Sequence, residues 1–239
     1  MNTIFQLLSG NPYPGRGILL GRTSGSRALI AYFIMGRSEN SRNRVFSEKD
    51  GGIITEAFDP AKLVDPSLIL YAPVRVFDAE TTIVSNGDQT DTVFDALKAG
   101  KTFEDGLRTR TFEPDPPNFT PRISGLLNVK NGGMAYRLSI LKAGTNQSAL
   151  RCFYDFPEPQ PGEGHFISTY VTDGNPLPGF RGEPVPVALG AEPADIFNRV
   201  LWNALDAQNR VSLFVRSISL QTGETQTRIV NEHGSIRGE

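Results

Sequence analysis

Apolar residues in this chain gather into short runs and alternations, bounded by Gly, Pro, Asn and Asp, much more often than they recur every three or four positions. That pattern predicts strands joined by turns. Ala28–Met35 is an unbroken apolar run, long enough for a strand buried on both faces, and with Ile18–Arg22 it forms a hairpin across TSGS. Ile53–Phe58, Ser67–Phe77 and Thr81–Ser85 follow as strands, with Pro73 placing the second near an edge or bulge. Ile123–Lys130 and Met134–Leu141 flank Asn131–Gly132–Gly133, the strongest hairpin signal present. Ala149–Phe156 and Gly164–Thr172 are strands, and Val211–Leu220 with Thr225–Glu232 make a last hairpin. Thr3–Leu8 reads as a short first strand or a cap on a neighbour.

Helical spacing is rarer. Val93, Phe94 and Leu97 share a face of a helix over Thr92–Ala99, capped by an Asp or Thr of NGDQTDT and closed by Gly100. Thr102 with Asp105 resembles a capping box opening a helix to about Arg110. Pro193–Arg210 carries Ile196, Val200, Leu201 and Leu205 on one face, with Pro193 suited to the first turn. Asp59–Asp65 is one helical turn before Pro66. Asn11–Gly17, Lys49–Gly52, Phe112–Arg122, Pro157–Gly164 and Asn175–Pro186 are turns or irregular. About ten hairpin strands and three helices predict a single α+β domain over residues 1–239, with two stacked, mostly antiparallel sheets and helices outside.

Composition narrows the chemistry. No apolar run reaches the roughly 18 residues that span a bilayer. The opening MNTIFQLLSG has no charged n-region, so a cytoplasmic location is expected. One cysteine, Cys152, excludes an internal disulfide, and with only His165 and His233 a Cys/His zinc cluster is excluded too. Neither metal nor cofactor is expected, although a carboxylate-held Mg²⁺ stays open. Cys152, among aromatics, reads as a buried inert thiol, and His165 as structural. The net charge of −2 argues against nucleic acid as a partner. The cations are unevenly placed, however. Residues 16–46 hold Arg16, Arg22, Arg27, Arg37, Arg42 and Arg44 against Glu39 alone, and eighteen of the 24 basic residues are arginine. Arg presents a planar fork that matches phosphate or carboxylate.

There is no phosphate-cradling G-x-x-x-x-G-K-[ST] loop, no G-x-G-x-x-G after a strand, and no G-x-S-x-G elbow. What remains is a set of polar loops at strand ends: Arg37–Arg44, Asn86–Asp91, Glu113–Arg122 and Ser168–Tyr170, with Tyr71 able to join them. Gly15 and Gly17 flank Arg16, which lets backbone approach whatever Arg16 holds. The inventory of cations, amides, carboxylates and phenols fits a nucleotide-sized anion and proton transfer without metal. Each loop could equally be a solvated connector, and Tyr71 could pack in the core.

The segments NPYPGRG, AYFIMGRSENSRNRVF, LYAPVRV, IVSNGDQTDT, FEPDPPNFTPRISG and FISTY, in this order over residues 11–170, resemble the archaeal-type IMP cyclohydrolases and their bacterial relatives. The resemblance implies a four-layer αββα fold like the N-terminal-nucleophile hydrolases. It also implies ring closure of 5-formamidoimidazole-4-carboxamide ribonucleotide to IMP with loss of water, in purine synthesis. Substrate and product are then purine ribonucleotides, and a homo-oligomer is expected. On this basis Arg37 and Arg44, with Arg16 and Arg122, are assigned to the 5′-phosphate, beside Ser38 and Asn43 of the same loop. Asn86, Asp88 and Thr90 are assigned to ribose or base, and Tyr170 to substrate. Tyr71 is the candidate acid at the departing formyl oxygen and Glu113 the candidate base at the carboxamide nitrogen, with Asp115 as substitute; Arg37 completes the catalytic set. Two departures stand out. The loop R-S-E-N-S-R-N-R is longer than the archaeal R-S-x-x-N-R form, and Gln89 occupies a position where archaeal relatives tend to have His. Met1 and Asn2 offer no Ser, Thr or Cys nucleophile, which agrees with chemistry lacking a covalent intermediate. An amidohydrolase of the same fold and a non-catalytic purine-nucleotide-binding protein are the alternatives.

Overall fold

The computed structural model describes residues 1–63, 66 and 70–234. Its strands, in chain order, are Asn2–Thr3 (β1), Arg16–Arg22 (β2), Arg27–Met35 (β3), Val45–Lys49 (β4), Gly52–Glu56 (β5), Val74–Val76 (β6) and Thr81–Ser85 (β7). Arg122–Lys130 (β8), Gly133–Ala143 (β9), Ala149–Phe156 (β10), Glu163–Ser168 (β11), Val185–Ala188 (β12), Arg210–Ser219 (β13) and Thr225–Asn231 (β14) follow. The helices are Ile4–Leu8 (α1), Glu39–Arg42 (α2), Gln89–Lys98 (α3), Phe103–Arg108 (α4) and Ala194–Ala204 (α5). One sheet has the order β1-β12-β11-β2-β3-β13-β14, the other β10-β9-β8-β7-β6-β5-β4. Every pairing between strands is antiparallel except β1 with β12. The molecule is therefore α+β with two mostly antiparallel sheets.

The apolar run of β3 shows why the sheets stack. Side chains alternate across a strand. Ala28, Ile30, Tyr32 and Ile34 enter a core with Val84 of β7, Ile123 and Leu127 of β8, and Leu138 of β9. Leu29, Ala31, Phe33 and Met35 enter a second core with α1 and α5, through Ile4, Leu8, Phe197 and Leu201. A third cluster joins Ile83 and Leu126 to Val93, Phe103 and Leu107 of α3 and α4. In β13, Val211 and Phe214 share the inter-sheet core despite their odd spacing, because the register slips between Arg210 and Ser212. Gly125 lies where the sheets meet closely: a Cβ there would come within 2.8 Å of Leu20 Cδ1.

The hairpin at Asn131–Gly132 is as expected. Both residues have positive φ, 52° and 77°, and Lys130 pairs with Gly133. Asp50–Gly51 repeats this turn between β4 and β5. The Thr102–Asp105 capping box opens α4. Several expectations are corrected. Within Thr3–Leu8 only Thr3 is strand and Ile4–Leu8 is a helix, since Thr3 and Gln6 close a reciprocal capping box. The polar 37–44 segment contains a turn of helix, because Ser38 caps it through Ser41. α3 starts three residues before Thr92, and Asp88 caps it by position without a side-chain bond, as its carboxylate is held elsewhere. α5 stops at Ala204, and Pro193 precedes it as the N-cap. Cys152 is half-buried, not buried, because β10 is an edge strand. His165 is structural in its contacts: Nδ1 lies 2.7 Å from the Tyr136 hydroxyl and the ring stacks on Phe156. Residues 64–65 of the predicted Asp59–Asp65 turn and 67–69 of the predicted Ser67–Phe77 strand lie outside the described residues. No helix among the described residues is long and apolar enough to cross a membrane.

Candidate active site

The start of β2, the end of β3, the loop leaving β7, the proline-braced loop before β8 and the segment after β11 meet at one end of the molecule. Gly15 makes the first contact possible. Its φ is +78°, and a Cβ would fall 2.3 Å from Thr169 Oγ1 and 2.5 Å from Tyr170 Cδ2. The Arg16 main chain is then clamped to Thr169, its N–H donating to Thr169 Oγ1 at 3.1 Å and its carbonyl accepting from Thr169 N at 2.9 Å.

The Arg16 guanidinium makes no side-chain hydrogen bond among the described residues, and its Nε is buried. Burial pulls its pKa down, but Glu113, with Tyr13, Tyr71 and Tyr170, overrides this and raises it. A buried guanidinium nitrogen without a hydrogen-bond partner is costly. Arg44 is fully buried nearby and differs in being committed: Nε donates to Ser41 O at 2.8 Å and Nη2 to Met35 O at 3.3 Å. Burial, and then the Arg16 charge, lower its pKa.

Glu113 is 6% exposed. Burial raises its pKa; Arg16, Arg122 and Arg44 oppose the rise and Asp115 adds to it, and the net shift is upward. Asp115 itself is closed onto its own loop, accepting from Thr120 N at 2.6 Å and from Thr120 Oγ1. Since that carboxylate can only accept, the Thr120 hydroxyl must in turn accept from Tyr170. Burial dominates the Tyr170 phenol and pushes it up to about 12. Tyr170 stacks on Tyr13, and Arg37 lies 5.1 Å above the Tyr13 ring. Arg37 sits at the exposed rim, with Nη1 on Asp173 at 2.5 Å and on Gly174 O at 3.0 Å.

Asn86 braces the site. Its amide donates to Pro121 O at 3.0 Å and Glu113 Oε1 at 3.4 Å, and accepts from Ile123 N at 2.8 Å and Gln89 Nε2 at 2.9 Å. Those four bonds use its whole capacity. Gln89 Oε1 holds Arg122 Nη1 at 2.7 Å, and Asp88 receives both Arg122 and Arg110. Partial burial pulls the Asp88 carboxyl up, but the two arginines outweigh it and leave it below its usual range.

Of the residues singled out by sequence, Arg16, Tyr71, Glu113 and Tyr170 are therefore brought together, with Arg44 behind them, Arg122 and Asn86 at one side and Arg37 at the rim. Ser38, Asn43 and Thr90 are used locally: Ser38 caps α2, Asn43 is bonded to Asp59 through both ends of its amide, and Thr90 binds Ser85 and Gly87 O. Sequence reasoning missed Tyr13, Tyr32, Arg110 and Thr120. Tyr13 lies in the same Pro/Gly loop as Arg16 and was legible there; Tyr32 was hidden in an apolar run.

The model of the IMP cyclohydrolase-like protein family matches residues 13–223. The chain is 27% identical over 162 residues to an IMP cyclohydrolase of Methanopyrus kandleri, covering 66% of this chain and 75% of that protein. It is 27% identical over 166 residues to the IMP cyclohydrolase of Methanothrix thermoacetophila, covering 68% and 76%. With the Methanococcus aeolicus IMP cyclohydrolase the match is 27% over 128 residues, 52% of this chain and 62%, under two thirds, of that protein. The match over residues 13–223 takes in every strand-end loop of the site, and the chain belongs to the IMP cyclohydrolase-like protein family.

Proposed function

We propose that this chain is an IMP cyclohydrolase, closing 5-formamidoimidazole-4-carboxamide ribonucleotide to IMP with loss of water. Family membership and three named relatives support the activity. The observation that carries it to these residues is Arg16, whose Nε is buried without a hydrogen-bond partner among the described residues and whose charge lies in the field of Glu113 and Tyr71. Both reacting groups belong to one substrate, so the protein has to orient them, move protons and stabilise charge. Glu113 takes the carboxamide proton as nitrogen attacks the formyl carbon. It is preferred to Asp115, whose carboxylate is tied to Thr120. Tyr71 gives its proton to the formyl oxygen, which becomes a hydroxyl on the new tetrahedral carbon. After both groups regain their starting protonation by exchange with solvent, Tyr71 gives the second proton that lets the hydroxyl leave as water, and Glu113 takes the former formamide N–H proton as the C=N bond forms. Arg16 faces the negative charge that develops, Arg37 and Arg122 hold the phosphate end, and Asn86 and Gln89 keep the loops in register. The packing of helices against the outward faces of two stacked sheets supports the αββα reading and its likeness to the N-terminal-nucleophile hydrolases. Self-association, measurable by light scattering, and a cytoplasmic location belong to the same reading.

An absorbance assay with the formylated substrate tests the function directly, and conversion to IMP is expected. IMP binding without conversion would favour the nucleotide-binding alternative; a new N-terminal Ser, Thr or Cys found by mass spectrometry would favour the amidohydrolase. Arg37→Lys keeps the charge and loses the fork, and is expected to raise the Kd for IMP about tenfold, the range of a charge-assisted hydrogen bond. Calorimetry giving an unchanged Kd would remove Arg37 from the phosphate subsite.

A further inference from the structure

Tyr32 is an anomaly in the fold. It sits in the middle of β3, is completely buried in the inter-sheet core, and stacks on Phe46 with ring centroids 5.6 Å apart. A buried phenol needs a hydrogen-bond partner, and Tyr32 has one: the Tyr71 hydroxyl at 2.9 Å. Each phenol carries one proton, so only one can donate in this bond. If Tyr71 donated, the Tyr32 proton would be left in the core with no acceptor, a penalty of about 1–3 kcal/mol. If Tyr32 donates, both groups are satisfied, because Tyr71, on the edge of the core, keeps its own proton for a ligand.

We infer that Tyr32 is a positioning residue that acts through Tyr71, donating a fixed hydrogen bond to the Tyr71 oxygen and so turning the Tyr71 proton toward substrate. The inference rests on the proposed role of Tyr71. Burial, followed by the charge and hydrogen bond of Tyr71, raises the Tyr32 pKa well above that of an ordinary phenol, so Tyr32 stays protonated. The charged groups around the pair are Arg16 from β2 and Arg44 from the segment before β4, which act on both phenols, with Glu113 beyond Arg16. During ring closure the carboxamide nitrogen bonds to the formyl carbon, the C=O π bond breaks and its oxygen takes the Tyr71 proton to become a hydroxyl, and the O–H electron pair stays on the Tyr71 oxygen. That phenolate is held by the Tyr32 O–H and the Arg16 charge until a proton returns. The proton taken from the carboxamide nitrogen by Glu113 balances the one Tyr71 gives in this addition. In the dehydration that follows, the C–O bond breaks as reprotonated Tyr71 gives the hydroxyl its second proton, and Glu113, again ionised, takes the former formamide N–H proton as the C=N bond forms. Two N–H protons are thus lost and two leave in water.

Tyr32→Phe removes one hydroxyl and keeps the ring and its stack. The expected result is a kcat roughly 10- to 100-fold lower, the range for a hydrogen bond to a charged group, with KM unchanged. In the Tyr71→Phe background the same change should cost nothing further, whereas a merely structural Tyr32 would multiply the losses. An unchanged kcat, a loss carried by KM instead of kcat, or multiplied losses would each overturn the inference. NMR of ring-labelled tyrosine, assigned with Tyr71→Phe, reads the coupling without substrate: the resonance of the Tyr71 ring carbon that bears the hydroxyl should shift in Tyr32→Phe, and an unshifted signal would overturn the inference. That measurement decides the inference even if the parent proves inactive, an outcome that would sink the proposed function instead. If either variant melts too low to assay, Tyr32→3-fluorotyrosine, which keeps the hydroxyl and strengthens it as a donor, must move the Tyr71 signal in the opposite direction.

Discussion

Glu113→Gln is expected to lower turnover by about 10²–10⁴-fold, the usual contribution of a general base, while the fold and IMP affinity are kept. The substitution is nearly isosteric. The new amide oxygen can still accept from Asn86 Nδ2, and the main-chain bond from Glu113 N to Thr120 O at 2.9 Å is unaffected. Only the ability to take a proton is lost. The pH dependence gives a second readout. Burial raises the Glu113 pKa despite Arg16, Arg122 and Arg44. A base works only when ionised, so the acidic limb of kcat in the parent should lie above the ordinary carboxylate range of about 4.3. Activity falls as pH drops through that limb, and in Glu113→Gln the limb should vanish with most of the activity. Steady-state rates across pH check both points. A variant that keeps parental turnover and the same limb would assign the base elsewhere.

Tyr71→Phe is expected to cost about 10²–10⁴-fold in turnover, again with IMP binding retained, since a phenylalanine fills the same space and removes only the proton donor. Tyr71 is 9% exposed and its ring belongs to the buried apolar set, so the bland alternative is a phenol that serves the core. Two consequences separate the readings. A core role predicts lost stability, because Tyr32 would be left without its partner, and intact catalysis. An acid role predicts lost turnover with a modest fall in melting temperature. Because Tyr71 and Glu113 would act at opposite ends of one substrate within a single concerted set, their losses should combine less than multiplicatively. Parental turnover in Tyr71→Phe would end the acid assignment and leave the arginine prediction standing.

The chain determined by itself whatever depends on neighbours a few residues apart. The alternation in β3, the left-handed Asn131–Gly132 turn and the Thr102–Asp105 cap are local physics, and all were legible. The capping box of α1 was legible too, in Thr3 and Gln6, but the short apolar run after it spoke equally for a strand, and side-chain to main-chain bonds decided. Composition marked the arginine-rich stretch without ranking its members. Ranking them took the stacking of the sheets, which leaves the buried Arg16 Nε without a partner among the described residues, closes Arg44 on carbonyls of its own segment, and sends Arg37 to Asp173, far along the chain. Asp88 could not be told from a helix cap until Arg110 and Arg122 arrived from separate elements to take its carboxylate. Tyr32 is the sharpest case. In sequence it is one more large residue in an apolar strand; only the approach of Tyr71, 39 positions away, makes its hydroxyl a donor with a direction. A local pattern reports which face of an element is buried. Which polar atoms meet there depends on how remote elements dock, and that is set by the summed packing of two sheets rather than by any one segment.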